Sequence, residues 1–121
     1  MQLKPNSKAA TYLRFLALKK IVLALPSSPV KDANESALLN VLCVNWLQGK
    51  PLAVRQAMEL QQLGSPSTLH RRISRLKAMS LITDQSSPAN IRIKLLVPTR
   101  KTLSYFDKLG TMLDRAREWP V

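Results

Sequence analysis

The groups best suited to chemistry lie close together between Ser65 and Met79. Ser65, Ser67, Thr68, His70, Arg71, Arg72, Ser74 and Arg75 all fall there, with no Asp or Glu among them. At the helical step of about 100° per residue, Leu69, Ile73 and Leu76 share one direction. Arg71, Ser67, Ser74 and Arg75 take the opposite side, with Thr68 and His70 on the flanks. A solvated helix face ordinarily mixes both signs of charge. A face of short hydroxyls and arginine suits a polyanion, and the major groove of duplex DNA in particular. There arginine donates two hydrogen bonds to guanine, and serine or threonine reaches phosphates or base edges at close range. The free N–H groups of the helix N-terminus suit a phosphate. The competing reading of these residues is an ordinary basic surface helix.

The whole chain leans the same way. Its 121 residues carry 19 Lys+Arg against 7 Asp+Glu, a net charge of +12. That excess points to polyanionic partners, nucleic acid first and an anionic membrane second. From Lys50 to Val97 eight basic residues face two acids, so the charge is only mildly concentrated around the helix. A single Cys excludes a disulfide framework and a cysteine-rich zinc site, and a single His excludes a histidine-clustered metal site. The polar helical neighbours of His70 are Arg and Ser, with no carboxylate, so no catalytic triad assembles around it; a protonated His70 could instead add charge beside DNA. No enzyme activity, metal or cofactor is expected. The longest apolar stretch, Ile21 to Leu25, has five residues, against the roughly 20 that a membrane span needs. The N-terminal apolar stretch is cut by Arg14, Lys19 and Lys20 and lacks a cleavage site, unlike a signal peptide. A lone Cys43 within an apolar run suits a reducing cytoplasm.

The elements that must position the basic helix can be read outward from it. One domain is expected over 1–121. Residues 8–25 contain good helix formers and no Gly or Pro, yet their apolar groups do not form one stripe. Tyr12, Leu16 and Leu23 point one way, Leu18, Ile21 and Leu25 nearly opposite. Such a helix needs cover on most sides, which in so short a chain implies a second subunit; a basic amphipathic helix lying on a membrane would show a cleaner polar face. Pro26-Ser27-Ser28-Pro29 breaks the chain. Asp32 or Asn34 can cap a second helix running to about Gln48, its core stripe being Leu38, Leu39, Leu42, Cys43 and Trp46. Pro51 opens a third helix over 51–61, closed by Leu63-Gly64. Ser65 as N-cap and Pro66 as first helical residue start the fourth, from Pro66 to about Met79. Leu81-Ile82-Thr83 is β-prone, Ser86 to Asn90 is a turn cluster, and Ile91 to Leu95 alternates apolar and basic residues, as a half-buried returning strand does. Thr99 can cap a last helix over 99–117, which Gly110 weakens by about 1 kcal/mol relative to Ala.

The segment from Ser65 to Ile82 resembles the recognition-helix segment of MarR-type winged-helix transcription regulators: Ser-x-x-Thr, an apolar residue, a later Arg-Leu, then Leu-Ile leading into the wing. Leu95-Leu96-Val97-Pro98-Thr99 is similar to the family's stretch entering the last helix. Three features depart from the pattern, one being Asn90-Ile91-Arg92 where the family often has an Asp-x-Arg that braces the wing. Ser80 stands where the family usually has Gly, and the expected wing tip, Gln85 to Asn90, holds no Arg or Lys for insertion into a minor groove. The resemblance implies a mainly α fold with a small β-hairpin wing: a winged helix-turn-helix core over 31–98 between N- and C-terminal dimerisation helices. It also implies a homodimer, with Tyr12, Phe15, Leu16, Leu18, Ile21 and Leu23 on the first helix meeting Phe106, Leu109 and Leu113 on the last. Two recognition helices would then sit about one DNA turn apart.

The expectation is a sequence-specific, double-stranded-DNA-binding transcription regulator. Arg71, Ser67, Thr68 and His70 would face bases, and Arg75, Arg72, Lys94, Arg92 and Arg55 phosphates, with Ser65 and Ser74 at the same surface. Replication, partition or DNA architecture would need the same helix in the same groove. A winged helix that docks only proteins is the remaining possibility, against which the acid-free face argues. Target site, sign of regulation and any small-molecule effector are not encoded in these features.

Overall fold

A computed structural model describes residues 4, 5, 7–25, 28–30 and 32–118. Part of the expected Pro-Ser-Ser-Pro break, Pro26 and Ser27, lies outside these residues. In chain order the elements are α1 (Lys8–Ala24), α2 (Ala33–Leu47), α3 (Val54–Ala57), a single 3-10 turn (Gln61–Leu63), α4 (Pro66–Ala78), β1 (Ile82–Ser86), β2 (Lys94–Pro98) and α5 (Arg100–Glu118). They fall into two compact units. One is Pro29–Leu103; the other joins the described residues up to Ser28 with those from Ser104 onward.

The Pro29–Leu103 unit has an aliphatic core, in keeping with an aromatic content of only 5%. Leu38, Leu39 and Leu42 on α2, Leu69 and Leu76 on α4, Leu81 beyond it, Ile82 and Leu96 on the hairpin, and Thr102 on α5 are all fully buried. Side chains three and four apart on a helix share a face, so α2 offers this stripe to both α4 and β2. Asp32 caps α2, its Oδ1 accepting the Asn34 and Glu35 N–H groups at 2.7 and 3.1 Å. The Glu35 N–H bond, then that of Asn34, and the nearby Arg72 and Arg75 charges hold the Asp32 carboxyl below its ordinary range. Cys43 is buried, and loss of hydration pushes its thiol up to about 11. Trp46 is half-buried rather than fully in the core.

Two expectations about this unit need correction. No continuous helix spans 51–61. The Leu52 carbonyl accepts the Leu96 N–H at 2.8 Å, and Ala53 forms a β-bridge with Leu95. A helix starting at Pro51 would need that same carbonyl for its own ladder, so the helix begins only at Val54, where Gln56 Oε1 accepts the Ala53 N–H at 2.8 Å. The returning strand is β2, from Lys94, and not 91–95. β1 and β2 pair antiparallel from Ile82↔Pro98 to Ser86↔Lys94. Ile91 to Ile93 belong instead to the tip, which is closed on itself: Ser87 N–H donates to the Ile93 carbonyl, Ile93 N–H to the Asn90 carbonyl and Arg92 N–H to Asn90 Oδ1. These local bonds override the strand preference of Ile91 and Ile93, which are 74% and 44% exposed. They also put Arg92 in a wing tip expected to hold no basic residue.

The end of α4 is a Schellman turn with serine where glycine is usual. Leu81 N–H donates to the Leu76 carbonyl at 2.9 Å and Ser80 N–H to that of Lys77 at 2.9 Å. Ser80 takes the left-handed conformation this requires, φ 59°. The start of α5 then binds the turn: Thr99 Oγ1 donates to the Ser80 carbonyl at 2.6 Å, Lys101 Nζ to that of Met79 at 3.0 Å and Thr102 Oγ1 to that of Leu81 at 2.6 Å. At the other end of α4, Arg72 Nη1 donates to the Leu63 carbonyl at 2.8 Å and fastens the turn before the helix.

In the other unit, Arg14 on α1 donates through Nε to the Ala116 carbonyl at 3.2 Å and through Nη1 to that of Pro5 at 2.6 Å. Within the unit only Ala10 and Val22 of α1 are buried. Tyr12 (59%), Leu16 (39%), Ile21 (62%) and, on α5, Leu113 (50%) are exposed; Phe15, Leu18, Leu23, Phe106 and Leu109 are half-buried. An open groove of about 410 Å³ lies between the helices, lined by Lys8, Thr11, Tyr12, Phe15, Leu113, Asp114 and Arg117. α5 runs through Gly110 without interruption.

A non-glycine residue in the left-handed region costs about 1–2 kcal/mol, partly offset by glycine's greater freedom when unfolded. Ser80→Gly is therefore expected to stabilise the protein by about 0.5–1 kcal/mol in urea unfolding; no gain would mean that the Ser80 side chain contributes what its backbone costs. Arg72→Ala is expected to cost about 1 kcal/mol through the lost charge-assisted bond to Leu63. Arg71→Ala should change unfolding by less than about 0.5 kcal/mol, as an exposed substitution without partners does.

Candidate nucleic-acid interface

The candidate interface is the outer face of α4. Ser65 Oγ accepts the Thr68 N–H at 3.3 Å and Pro66 follows at the first helical position, which sets where the helix begins. Burial of Leu69, Ile73 and Leu76 then fixes the rotation of α4. Ser67, His70, Arg71, Ser74 and Arg75 are exposed, with Thr68 and Arg72 half-buried at the edges. No carboxylate belongs to this face, as the spacing had indicated.

The residues expected to act alike are held very differently. Ser65 and Thr68 are bonded to each other, Ser65 Oγ lying 3.0 Å from Thr68 Oγ1, so their first task is the cap. Arg72 is tied to Leu63. Arg75 Nε lies 2.6 Å from Glu35 Oε1, in a pair whose arginine side chain is 66% exposed and whose glutamate side chain is 8% exposed. Lys77, next along the helix, pairs with Asp84 on β1 at 2.9 Å. Among the described residues, His70, Arg71, Ser67 and Ser74 project without such restraint. A weak contact of Ser67 Oγ with Ser65 Oγ at 3.4 Å is the exception.

Three further expected contacts lie outside α4. Arg55 is exposed on α3 and Arg92 on the wing tip. Lys94, the first residue of β2, folds its Nζ back to Ser86 Oγ at 2.9 Å and the Ile91 carbonyl at 3.3 Å. Arg92 and Lys94 were expected on one face of one strand; the structure separates them into tip and strand.

Glu35 is the residue that reading the sequence for basic groups passed over. Its signal was present: Glu35, Leu38, Leu39 and Leu42 stand at i, i+3, i+4 and i+7, so a carboxylate occupies the apolar stripe of α2. Such a group needs a counter-charge, and Arg75 supplies it. Among the described residues no three His, Cys, Asp or Glu side chains are placed to hold a metal ion, and no helix is long and apolar enough to cross a membrane.

No protein-family model matches the sequence, and no curated protein sequence matches it. Solved structures do match. The transcriptional regulator Tm0710 from Thermotoga maritima is 18% identical, covering 89% of this chain and 68% of its own, with a TM-score of 0.57. RV1404 from Mycobacterium tuberculosis is 18% identical, covering 88% of this chain and 68% of its own, with a TM-score of 0.60. A variant of S. aureus MepR bound to an oligodeoxyribonucleotide is 13% identical, covering 93% of this chain and 80% of its own, with a TM-score of 0.58. With helix, turn, helix and hairpin in that order, and with this likeness, the chain has the winged helix-turn-helix fold of MarR-type transcription regulators.

Proposed function

We propose that the chain is a sequence-specific double-stranded-DNA-binding transcription regulator that acts as a homodimer, with α4 entering the major groove. The observation that carries this reading is the outer face of α4: exposed Ser67, His70, Arg71, Ser74 and Arg75, free of carboxylates, on a helix whose other face is locked in the core. Arg71 is the base reader, because its guanidinium has no ion pair or side-chain hydrogen bond among the described residues and is free to present its donor fork to guanine. Ser67, Thr68, His70 and Ser74 line the same approach. Arg75, Arg92, Lys94 and Arg55 serve phosphates; Arg72 does so with the part of its guanidinium not bound to Leu63. The exposed Tyr12, Leu16, Ile21 and Leu113, with half-buried Phe15, Leu18, Leu23, Phe106 and Leu109, support the dimer, since apolar groups at this density favour cover. Cytoplasmic location belongs to the same reading.

Affinity selection from a random duplex library at moderate salt tests it. Enrichment of a palindrome with half-sites about 10 bp apart, centre to centre, is the expected result. Salt-sensitive binding without enrichment would favour a role in replication, partition or DNA architecture, and no binding at low salt would leave a protein-docking winged helix. On the selected site, Arg71→Ala is expected to cost about 1–3 kcal/mol and to relax preference at one base position. Equal weakening on all sequences would make Arg71 a phosphate contact.

A further inference from the structure

The three arginines of α4 are held in three ways: Arg71 has no side-chain bond among the described residues, Arg72 is bonded through Nη1 to the Leu63 carbonyl, and Arg75 is paired through Nε with Glu35. The third arrangement is unequal. Glu35 is 6% exposed, and its backbone is fixed because its N–H is bound by the Asp32 cap. Arg75 reaches it from a side chain that is 66% exposed. A guanidinium has two donor edges. When Nε faces a carboxylate anchored in the protein, the edge formed by the two Nη atoms is left for another acceptor; the exposed Asp32 carboxylate is near enough to feel the Arg75 charge.

From this geometry we infer that Glu35 is a positioning residue for DNA binding: its buried carboxylate holds Arg75 so that the outer Nη edge is presented, already oriented, to a backbone phosphate. The inference rests on the DNA-binding reading above and adds to it a residue that touches no DNA. An unrestrained arginine loses rotamer freedom when it binds; one already immobilised by Glu35 has lost that freedom on folding. The phosphate–arginine–carboxylate line also lets Arg75 act as a fixed dipole donor rather than as a diffuse surface charge.

The sign of one substitution separates this from simple electrostatics. Glu35→Gln removes a negative charge from a protein that binds a polyanion, and on charge alone should tighten binding. If Glu35 positions Arg75, binding should instead weaken, by about two- to tenfold, the cost of immobilising one long side chain anew. The measurement is duplex affinity by fluorescence anisotropy across a salt series, with thermal melting of each variant alongside. Arg75→Lys keeps the charge but has a single ammonium, which cannot face Glu35 and a phosphate along two edges. It should weaken binding similarly, and Glu35→Gln added to it should cause no further loss. Arg75→Lys also serves if Glu35→Gln fails to fold.

Glu35→Gln binding as tightly as the parent, or more tightly, would overturn the inference. So would a lowered melting temperature with unchanged affinity, which marks a purely structural pair, or a loss of affinity that persists in full in the Arg75→Lys background. Absence of duplex binding by the unsubstituted protein would remove the DNA-binding reading itself, and the inference with it.

Discussion

The apolar contact between α2 and α4 governs the rest of the Pro29–Leu103 unit. Leu38, Leu39 and Leu42 are 0–1% exposed, and so are Leu69 and Leu76 opposite them. Each such side chain contributes about 1.5–3 kcal/mol by leaving water, so rotating α4 by even one residue would expose more than any surface contact could return. That constraint decides what the helix shows to solvent. With Leu69, Ile73 and Leu76 inward, Ser67, His70, Arg71, Ser74 and Arg75 must point outward. The same layer fixes β2, because Leu96 is buried in it while its N–H takes the Leu52 carbonyl.

Around that contact, polar groups settle geometry that apolar packing leaves open. The Schellman turn at Ser80 ends α4 in a conformation unfavourable for serine, and three donors from the start of α5 bind the carbonyls of Met79, Ser80 and Leu81. α4 is thus held at its exit by α5 and at its entrance by Ser65 and by Arg72 on Leu63. A helix secured at both ends presents its outer face with little freedom, which suits recognition by a rigid partner. Glu35 extends the same principle to one side chain.

Much of this was legible in the residues alone, for identifiable reasons. Ser65-Pro66 marks the start of α4 because each residue type has a specific task there. The acid-free face follows from helical period once Leu69, Ile73 and Leu76 are assigned to the core. What was misread depended on backbone hydrogen bonds made at long range or within a tight loop. The apolar spacing of Leu52, Val54 and Ala57 fits a helix, and nothing local shows that Leu96 will claim the Leu52 carbonyl. The alternation from Ile91 to Leu95 fits a strand, and the wing tip wins because Asn90 and Ser87 satisfy the backbone nearby. Glu35 differs: a carboxylate on an apolar stripe asks for a partner, but nothing local in the sequence shows that Arg75, on another helix, will supply it.

The central claim is that α4 reads the major groove in two places related by a dimer axis. Guanine N7 lies on that groove's floor, so methylation interference on a selected duplex tests the claim most directly. The expected result is interference at two clusters of guanines about 10 bp apart, centre to centre. Interference confined to minor-groove adenine N3, or binding indifferent to N7 methylation throughout the site, would contradict it.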